Sequence, residues 1–451
     1  MRLASARFYL RFLGSAYAGV PALRARARRR APQWLARFVD TCGVAGRRLA
    51  MRSLDVLEPA VQAPERYRSF LIQHQPDVVV LTPLVVLKTA QLDLARAAVQ
   101  LGIRNVFAVA SWDHLSSKGE LDFPPQRVLV WNEVQKREAS ALHGLDPATV
   151  RVTGSQVFDE WFTRQPSTTR EDFCARVGLR ADSPIVLYVC SSLLEGSTAE
   201  PPFVLRWARH LRDSGYPVLR ECGILVRPHH ERGWAWRKVD TRGLDNFACW
   251  PPLGDSPVDA QSKSDYFDSL YHADVVVGLN TSAMIEAAIV GRPVCTVLLP
   301  EFRDDQEGTL HFHYLLDGAD ALLHSARSLE DHAQQLARLL ESGDPDPERS
   351  RTFVRTFVRP LGPDTPATTT VVEAIETLVA QPPPAPVPPA AWRLVVKPLL
   401  RPVLLPFAYG ALRRVKRLKE ESRLREERRL SEHRRRKREL RDEKRARQVD
   451  V

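Results

Sequence analysis

Apolar residues recur along this chain as short valine-rich runs separated by amphipathic stretches. PDVVVLTP (Pro76–Pro83) reads as a buried strand, Val86–Leu101 as a helix closed by Gly102, and Arg104–Ala110 as the next strand. Arg127–Trp131 is a third strand, Asn132–His143 a helix ending at Gly144, and Thr149–Ser155 a strand that breaks at Gly154. A polar, helical connection follows, roughly 158–181. The alternation then restarts with strands at Pro184–Ser192 and Gly223–His230, a helix at Phe203–Ser214 and a short strand in FACWPP. A short helix at Asp265–His272 leads to strands at Asp274–Leu279 and Val294–Leu299, and an amphipathic helix runs from about Leu329 to Leu340. Such alternation predicts parallel sheets covered by helices on both faces. The seam near residues 160–182 divides them into two Rossmann-like halves, which in this class face a cleft.

The second half holds the most telling stretch, GLNTSAMIEAAIVGRPV (Gly278–Val294). It reads as strand, helix, strand. Thr281 or Ser282 can cap the helix, Gly291 suits a left-handed C-cap, and Pro293 stops it. Asn280, Thr281 and Ser282 thus lie at a strand's carboxyl end and a helix's amino end, where anions bind. Glu286 sits four residues after Ser282. A capping box needs a spacing of three, so capping does not account for it. Two readings stand: the one solvent-facing position of a buried helix, or a carboxylate accepting two sugar hydroxyls of a nucleotide.

Charge changes the picture of the ends. The 451-residue chain has a net charge of +11 and 44% hydrophobic residues, enough for two ordinary domains with appendages. Residues 1–52 carry 12 Arg against one Asp, and residues 413–447 carry 18 Lys and Arg against 8 acids, so the remainder is net −10. Basic ends on an acidic body suit an anionic polymer or membrane surface. The segment Met1–Leu23 is too interrupted by Arg7 and Arg11 to span or to act as a secretory leader. It reads as an amphipathic helix on a membrane or as a helix packed on the body. PPPAPVPP (Pro382–Pro389) is a stiff spacer. The apolar segment after it, cut by prolines and cations, suits either interfacial membrane contact or docking on the body. Beyond it lies a long charged helix with few aromatics, so nucleic acid is a poor fit. The six cysteines are scattered, with no C-x-x-C, which fits a reducing, cytoplasmic compartment. The expected parts are a basic extension (1–52), a first Rossmann-like domain (53–160), a second (161–380), a linker with an apolar segment (381–412) and a charged helix (413–451).

SWDHLSSKG (Ser111–Gly119), VTGSQVFD (Val152–Asp159), RPHH (Arg227–His230), Ala273–Val294 and GTLHFHYLL (Gly308–Leu316) together resemble the GT-B glycosyltransferase superfamily over roughly residues 76–340. The likeness lies nearest to bacterial envelope enzymes, including CDP-glycerol glycerophosphotransferases, and extends to UDP-N-acetylglucosamine 2-epimerases. It implies an α/β fold of two Rossmann-like domains, here with basic helical extensions at both ends. It also implies donor binding in the second half: Ser282, Thr281 and Asn280 at the diphosphate, Glu286 at the ribose, Arg227 and His229 at phosphate or sugar, and Gln306 and His311 along the pocket. Arg227 has a plain alternative in an ion pair, and His229 with His230 in simple exposure. On the acceptor side, Asp113 and His114 sit where a base is needed, with Trp112 and Lys118 beside the acceptor; Trp112 and Asp113 can equally brace the loop. His311-x-His313 lacks a third ligand, and the superfamily usually works without metal, so no cofactor is expected.

The implied activity is transfer of a sugar or polyol phosphate from a nucleotide-activated donor to a lipid-linked or glycan acceptor in envelope synthesis. Its expected place is the cytoplasm, peripheral on the inner face of the plasma membrane. The rivals are sugar-nucleotide epimerisation on the same fold and a nucleic-acid or scaffold role for the C-terminal helix.

Overall fold

A computed structural model describes residues 2–392 apart from 86–88, 120, 122, 123, 195, 196, 198 and 238. The expected charged helix at 413–451 and the apolar segment before it, from residue 393, lie outside the described residues. Residues 59–61 and 389–392 belong to a second compact unit, in which the Ala390 amide donates to the Pro59 carbonyl at 2.9 Å. Everything below concerns the first unit.

Three helices open it: α1 (Arg2–Phe12), α2 (Pro21–Arg30) and α3 (Gln33–Leu57). Phe8, Tyr9, Leu10 and Phe12 of α1 are all buried, against Tyr17, Leu23, Ala27, Leu35 and Val39. Protein therefore covers the apolar face that the membrane reading assigned to lipid, and the packed alternative describes α1. Even Arg11 points inward, donating to the Leu115 carbonyl at 2.7 Å, to the Gly119 carbonyl and to the Tyr17 hydroxyl.

The first half follows with α4 (Glu65–His74), α5 (Gln91–Leu101) and α6 (Glu133–His143) around β1 (Val78–Leu81), β2 (Arg104–Ala108), β3 (Arg127–Val130) and β4 (Val150–Val152). The strands lie in the order β1-β2-β3-β4, and every pairing is parallel. Asn132 caps α6 by accepting the Gln135 amide at 3.0 Å, and Gly144 closes it in the left-handed region.

The second half contains α7 (Arg170–Val177), β5 (Ile185–Val189), α8 (Glu200–Asp213), α9 (Pro217–Glu221), β6 (Gly223–Arg227), β7 (Phe247–Cys249) and α10 (Ala260–Tyr271). It continues with β8 (Val275–Gly278), α11 (Ala283–Ile289), β9 (Val294–Val297), α12 (His313–Leu316), β10 (His324–Ala326), α13 (Leu329–Ser342) and α14 (Glu348–Phe353). Its sheet runs β10-β9-β8-β5-β6-β7, again wholly parallel. On central β5, Leu187 and Val189 face Phe173, Leu270 and Met284, while Val186 and Tyr188 face Trp207, Leu211 and Leu336. Both faces are dry, which is why the run IVLYV shows no polar alternation. The unit β8–α11–β9 is the expected parallel pair with a crossover helix, Val276 aligned with Val294.

The chain then returns to the first half. Helix α15 (Ala367–Val379) lays Val371, Ala374 and Leu378 on Val106, Ala108 and Leu129 of the first sheet. The segment expected as 161–380 therefore spends its last helix on the other half. VTGSQVFD is where the outgoing and returning chains meet. Gly154 has φ +81, and a Cβ there would stand 3.0 Å from Ala367 Cβ, so only glycine lets the chains approach. The Ser155 amide donates to the Val358 carbonyl at 2.9 Å, and Asn132 Nδ2 donates to the Phe357 carbonyl at 2.7 Å. The Asp159 carboxylate accepts the Ala367 and Thr368 amides at 3.0 and 2.6 Å, which caps α15, and pairs with Arg359 at 2.9 Å.

Burial alone would raise the Asp159 pKa. The bonds from Thr368, Ala367 and Arg359 outweigh it and hold the carboxyl below its usual range. A folded pKa below the unfolded one gives stability that is present at neutral pH and lost as pH falls through the folded value. Asp159→Ala is expected to cost roughly 2–4 kcal/mol by urea denaturation, through loss of the cap and an orphaned Arg359. The stability gap between the variant and wild type should narrow on acidification.

Candidate functional site: a cavity between the two halves

The loop after β2 forms one wall. Ser111, Trp112 and Asp113 lead into a wide helical turn, His114–Lys118, pinned at its exit by Gly119 against the Val85 carbonyl. Trp112 is buried and meets His311 edge-on, ring centres 4.6 Å apart. Asp113 accepts the Ser111 hydroxyl at 2.7 Å and pairs with Lys118 Nζ at 3.0 Å. Burial pushes the Asp113 pKa up, but Lys118, His311 and the Ser111 hydroxyl more than reverse this and hold it at about 2. The carboxylate is thus a weak base at neutral pH. His114 points inward. Burial lowers its pKa to about 4, and its Nδ1 has no hydrogen-bond partner.

The segment between β8 and α11 forms the facing wall. The Asn280 amide donates to Ser191 Oγ at 3.1 Å, while Asn280 Nδ2 reaches the Asp305 carbonyl, Thr309 Oγ1 at 3.3 Å and His311 Nε2 at 3.4 Å. Thr281 Oγ1 accepts the Ala283 amide at 3.4 Å, whereas the exposed Ser282 makes no capping bond. His229, just past β6, contributes from beside them. Its Nδ1 accepts the Glu231 amide at 3.3 Å and its ring stacks on His230, 4.4 Å between centres. Burial and the neighbouring His230 lower its pKa to about 4, so it is neutral near pH 7, and its Nε2 has no partner among the described residues.

These walls enclose a cavity of about 230 Å³ lined by Trp112, Asp113 and Lys118 of the first half and by His229, Asn280, Thr281, Ser282 and His311 of the second. The expected acceptor and donor sides therefore share one space. Two hydrogen bonds join the halves beside it. Ser117 Oγ lies 3.1 Å from His311 Nδ1, and the Tyr314 hydroxyl donates to Glu138 Oε1 at 2.6 Å. Burial lowers the His311 pKa to about 4 and raises that of Glu138 to about 8.

Four of the expected residues do not line the cavity. His114 is one. Gln306 is buried and braces the floor, its Nε2 donating to the Leu279 and Val297 carbonyls and to Thr296 Oγ1 at 3.1–3.2 Å. Arg227 is committed to Asp265 at 3.0 Å and Ser269 Oγ at 2.6 Å, a largely buried version of the ion-pair alternative. Glu286 accepts the Tyr266 hydroxyl. The residue is half-buried, and burial raises its pKa to about 7, with the Tyr266 bond opposing the rise. Tyr266 in turn lies under the Arg227 guanidinium, 5.2 Å from its ring centre, and against the edge of Trp161. The position is partly open to solvent, as the first reading expected, and the carboxyl also accepts a hydrogen bond from Tyr266.

His313 turns away from His311, bonding Asp317 Oδ2 at 2.7 Å and the Glu307 carbonyl at 2.8 Å. Among the described residues, no group of three His, Cys, Asp or Glu side chains is placed to hold a metal ion. Sequence reasoning missed Ser117 and Asp305, which carry no local signal, and Leu23 and Arg26 of α2, which lie in or beside a charge run.

No family model and no curated protein matches this chain. Among solved structures it is similar to the UDP-GlcNAc 2-epimerase from Neisseria meningitidis bound to UDP-GlcNAc, at 12% identity, 72% of this chain, 82% of that one and a TM-score of 0.48. It is similar to a glycosyltransferase from Rickettsia africae at 11% identity, with coverage of 72% and 82% and a TM-score of 0.45. It is also similar to the wall teichoic acid polymerase TagF at 14% identity, with coverage of 56% and 59% and a TM-score of 0.36.

Proposed function

We propose that this chain is a metal-independent transferase that moves a sugar or polyol phosphate from a nucleotide-activated donor to a lipid-linked or glycan acceptor in envelope synthesis. The single observation that carries the reading is the shared cavity, in which the Trp112–Lys118 loop of one half faces His229 and Asn280–Ser282 of the other. In this reading the donor diphosphate lies against the hydroxyls of Thr281 and Ser282, with Lys118 on the acceptor side. Charge developing on the leaving group is met by groups already in place. Asp113 pairs with Lys118 and orients it. His229, neutral and with a free Nε2, takes the acceptor proton. Glu286, outside the cavity, accepts the hydroxyls of a ribose that extends beyond it. Tyr266 occupies part of one carboxylate's capacity and leaves sites for two more donors.

The membrane side of the proposal moves from α1 to α3. Trp34, Val44, Leu49 and Val56 are exposed there, interleaved with exposed Arg37, Arg48 and Arg52, a composition suited to an anionic lipid surface. Among the described residues no helix is long and apolar enough to cross a membrane.

Isothermal titration with a panel of nucleotide sugars and CDP-glycerol tests the core of this reading, and binding of none removes it. Glu286→Gln should weaken the best ligand roughly 10–100-fold, by loss of hydrogen bonds to a charged acceptor. A nucleotide diphosphate ester does not titrate near neutrality. Affinity should therefore rise between pH 6 and 8 as Glu286 ionises through about 7, and the variant should lack that rise. His229→Ala should lower turnover roughly 100-fold or more while leaving donor binding intact. Formation of an epimerised sugar nucleotide without acceptor would replace transfer by epimerisation. In vesicle flotation with phosphatidylglycerol, Arg48→Glu with Arg52→Glu should reduce the bound fraction of the full chain.

A further inference from the structure

Helix α2 belongs to neither sheet, yet it reaches the cavity. Leu23 and Arg26 line its wall next to the Trp112–Lys118 loop. Arg26 donates to the Ser117 carbonyl, and its Nε has no hydrogen-bond partner. Among the described residues no carboxylate lies within ion-pair distance of it. The nearby Asp113 is held instead by Lys118 at 3.0 Å. Burial, and then the positive charge of Arg30, lower the Arg26 pKa to about 10, so the group keeps its proton at neutral pH. A half-buried guanidinium without a counter-charge is costly, and a fork of donors is suited to a phosphate. The charged part of the first-half wall, Arg26 and Lys118 against Asp113, carries an excess of one positive charge.

We infer that α2 supplies the anion-binding arm of the acceptor subsite, with Arg26 and Lys118 gripping a phosphate on the acceptor while Leu23 offers an apolar flank to the group that carries it. The inference rests on the transferase reading and names the acceptor class: a phosphate-bearing molecule, whether a polyol phosphate or an isoprenoid phosphate. The N-terminal extension is then a wall of the site rather than an appendage.

The test uses the full chain and four probes: glycerol 3-phosphate, citronellyl phosphate, and the neutral glycerol and citronellol, each titrated by NMR line broadening. The wild type is expected to bind a phosphate probe and neither alcohol. Arg26→Ala should weaken that binding roughly 10–100-fold, as removal of charge-assisted hydrogen bonds implies. Arg26→Lys should retain part of it, and serves as the working variant if the alanine form does not fold. Equal binding of both phosphates identifies the headgroup alone as the ligand, while preference for citronellyl phosphate adds Leu23 to the grip. Phosphate binding that is absent from wild type, or unchanged in both Arg26 variants, overturns the inference. Nucleotide-sugar titration on the same proteins separates the two claims. Nucleotide binding with Arg26-independent phosphate binding sinks this inference alone. Arg26-dependent phosphate binding without nucleotide binding sinks the transferase reading alone.

Discussion

One uncharged imidazole holds the two walls of the cavity in register. His311 bonds Ser117 of the first half through Nδ1 and faces Asn280 of the second through Nε2, with the edge of Trp112 against its ring. Asn280 Nδ2 only donates, so Nε2 must accept and Nδ1 donates to Ser117; a second proton would turn Nε2 into a donor and break the Asn280 contact. Burial secures the neutral form by lowering the pKa to about 4. The polar composition of the cavity is thus maintained by the dryness of the shell around it, and the site and the interface between the halves are a single arrangement.

The charges around it are sorted by the same principle. Asp113 keeps its charge because Lys118 and Ser111 compensate it. Glu286 and Glu138, each hydrogen-bonded to one tyrosine, have raised pKa values because burial outweighs those bonds. Arg227 and Asp265 neutralise one another beneath Tyr266. What is left uncompensated, Arg26, lies on the cavity wall.

Much of the fold was legible because both sheets are parallel and covered. A strand dry on two faces must be apolar throughout, so VVVL, IVLYV and VVVG stand out against their surroundings. The short edge strand β10, HSA, has one exposed position in three and gave no such signal. The cavity residues legible in advance were those at the carboxyl ends of β2, β6 and β8, where topology makes loops converge. Arg227 sat at the right strand end, but Asp265 and Ser269, on a helix far along the chain, claimed its guanidinium. Arg26 was illegible for the opposite reason. In sequence it is one arginine in RARARRR, and only the packing of α2 distinguishes it from its solvated neighbours.

The return of α15 to the first sheet makes the halves interdependent as folding units. Val106, Ala108 and Leu129 find their cover in Val371, Ala374 and Leu378, supplied from the far end of the second half. A ribosome releasing residues 53–160 would expose a sheet with one apolar flank bare until more than two hundred further residues had emerged. Excised fragments divided at the seam should accordingly be insoluble apart and complement one another when produced together.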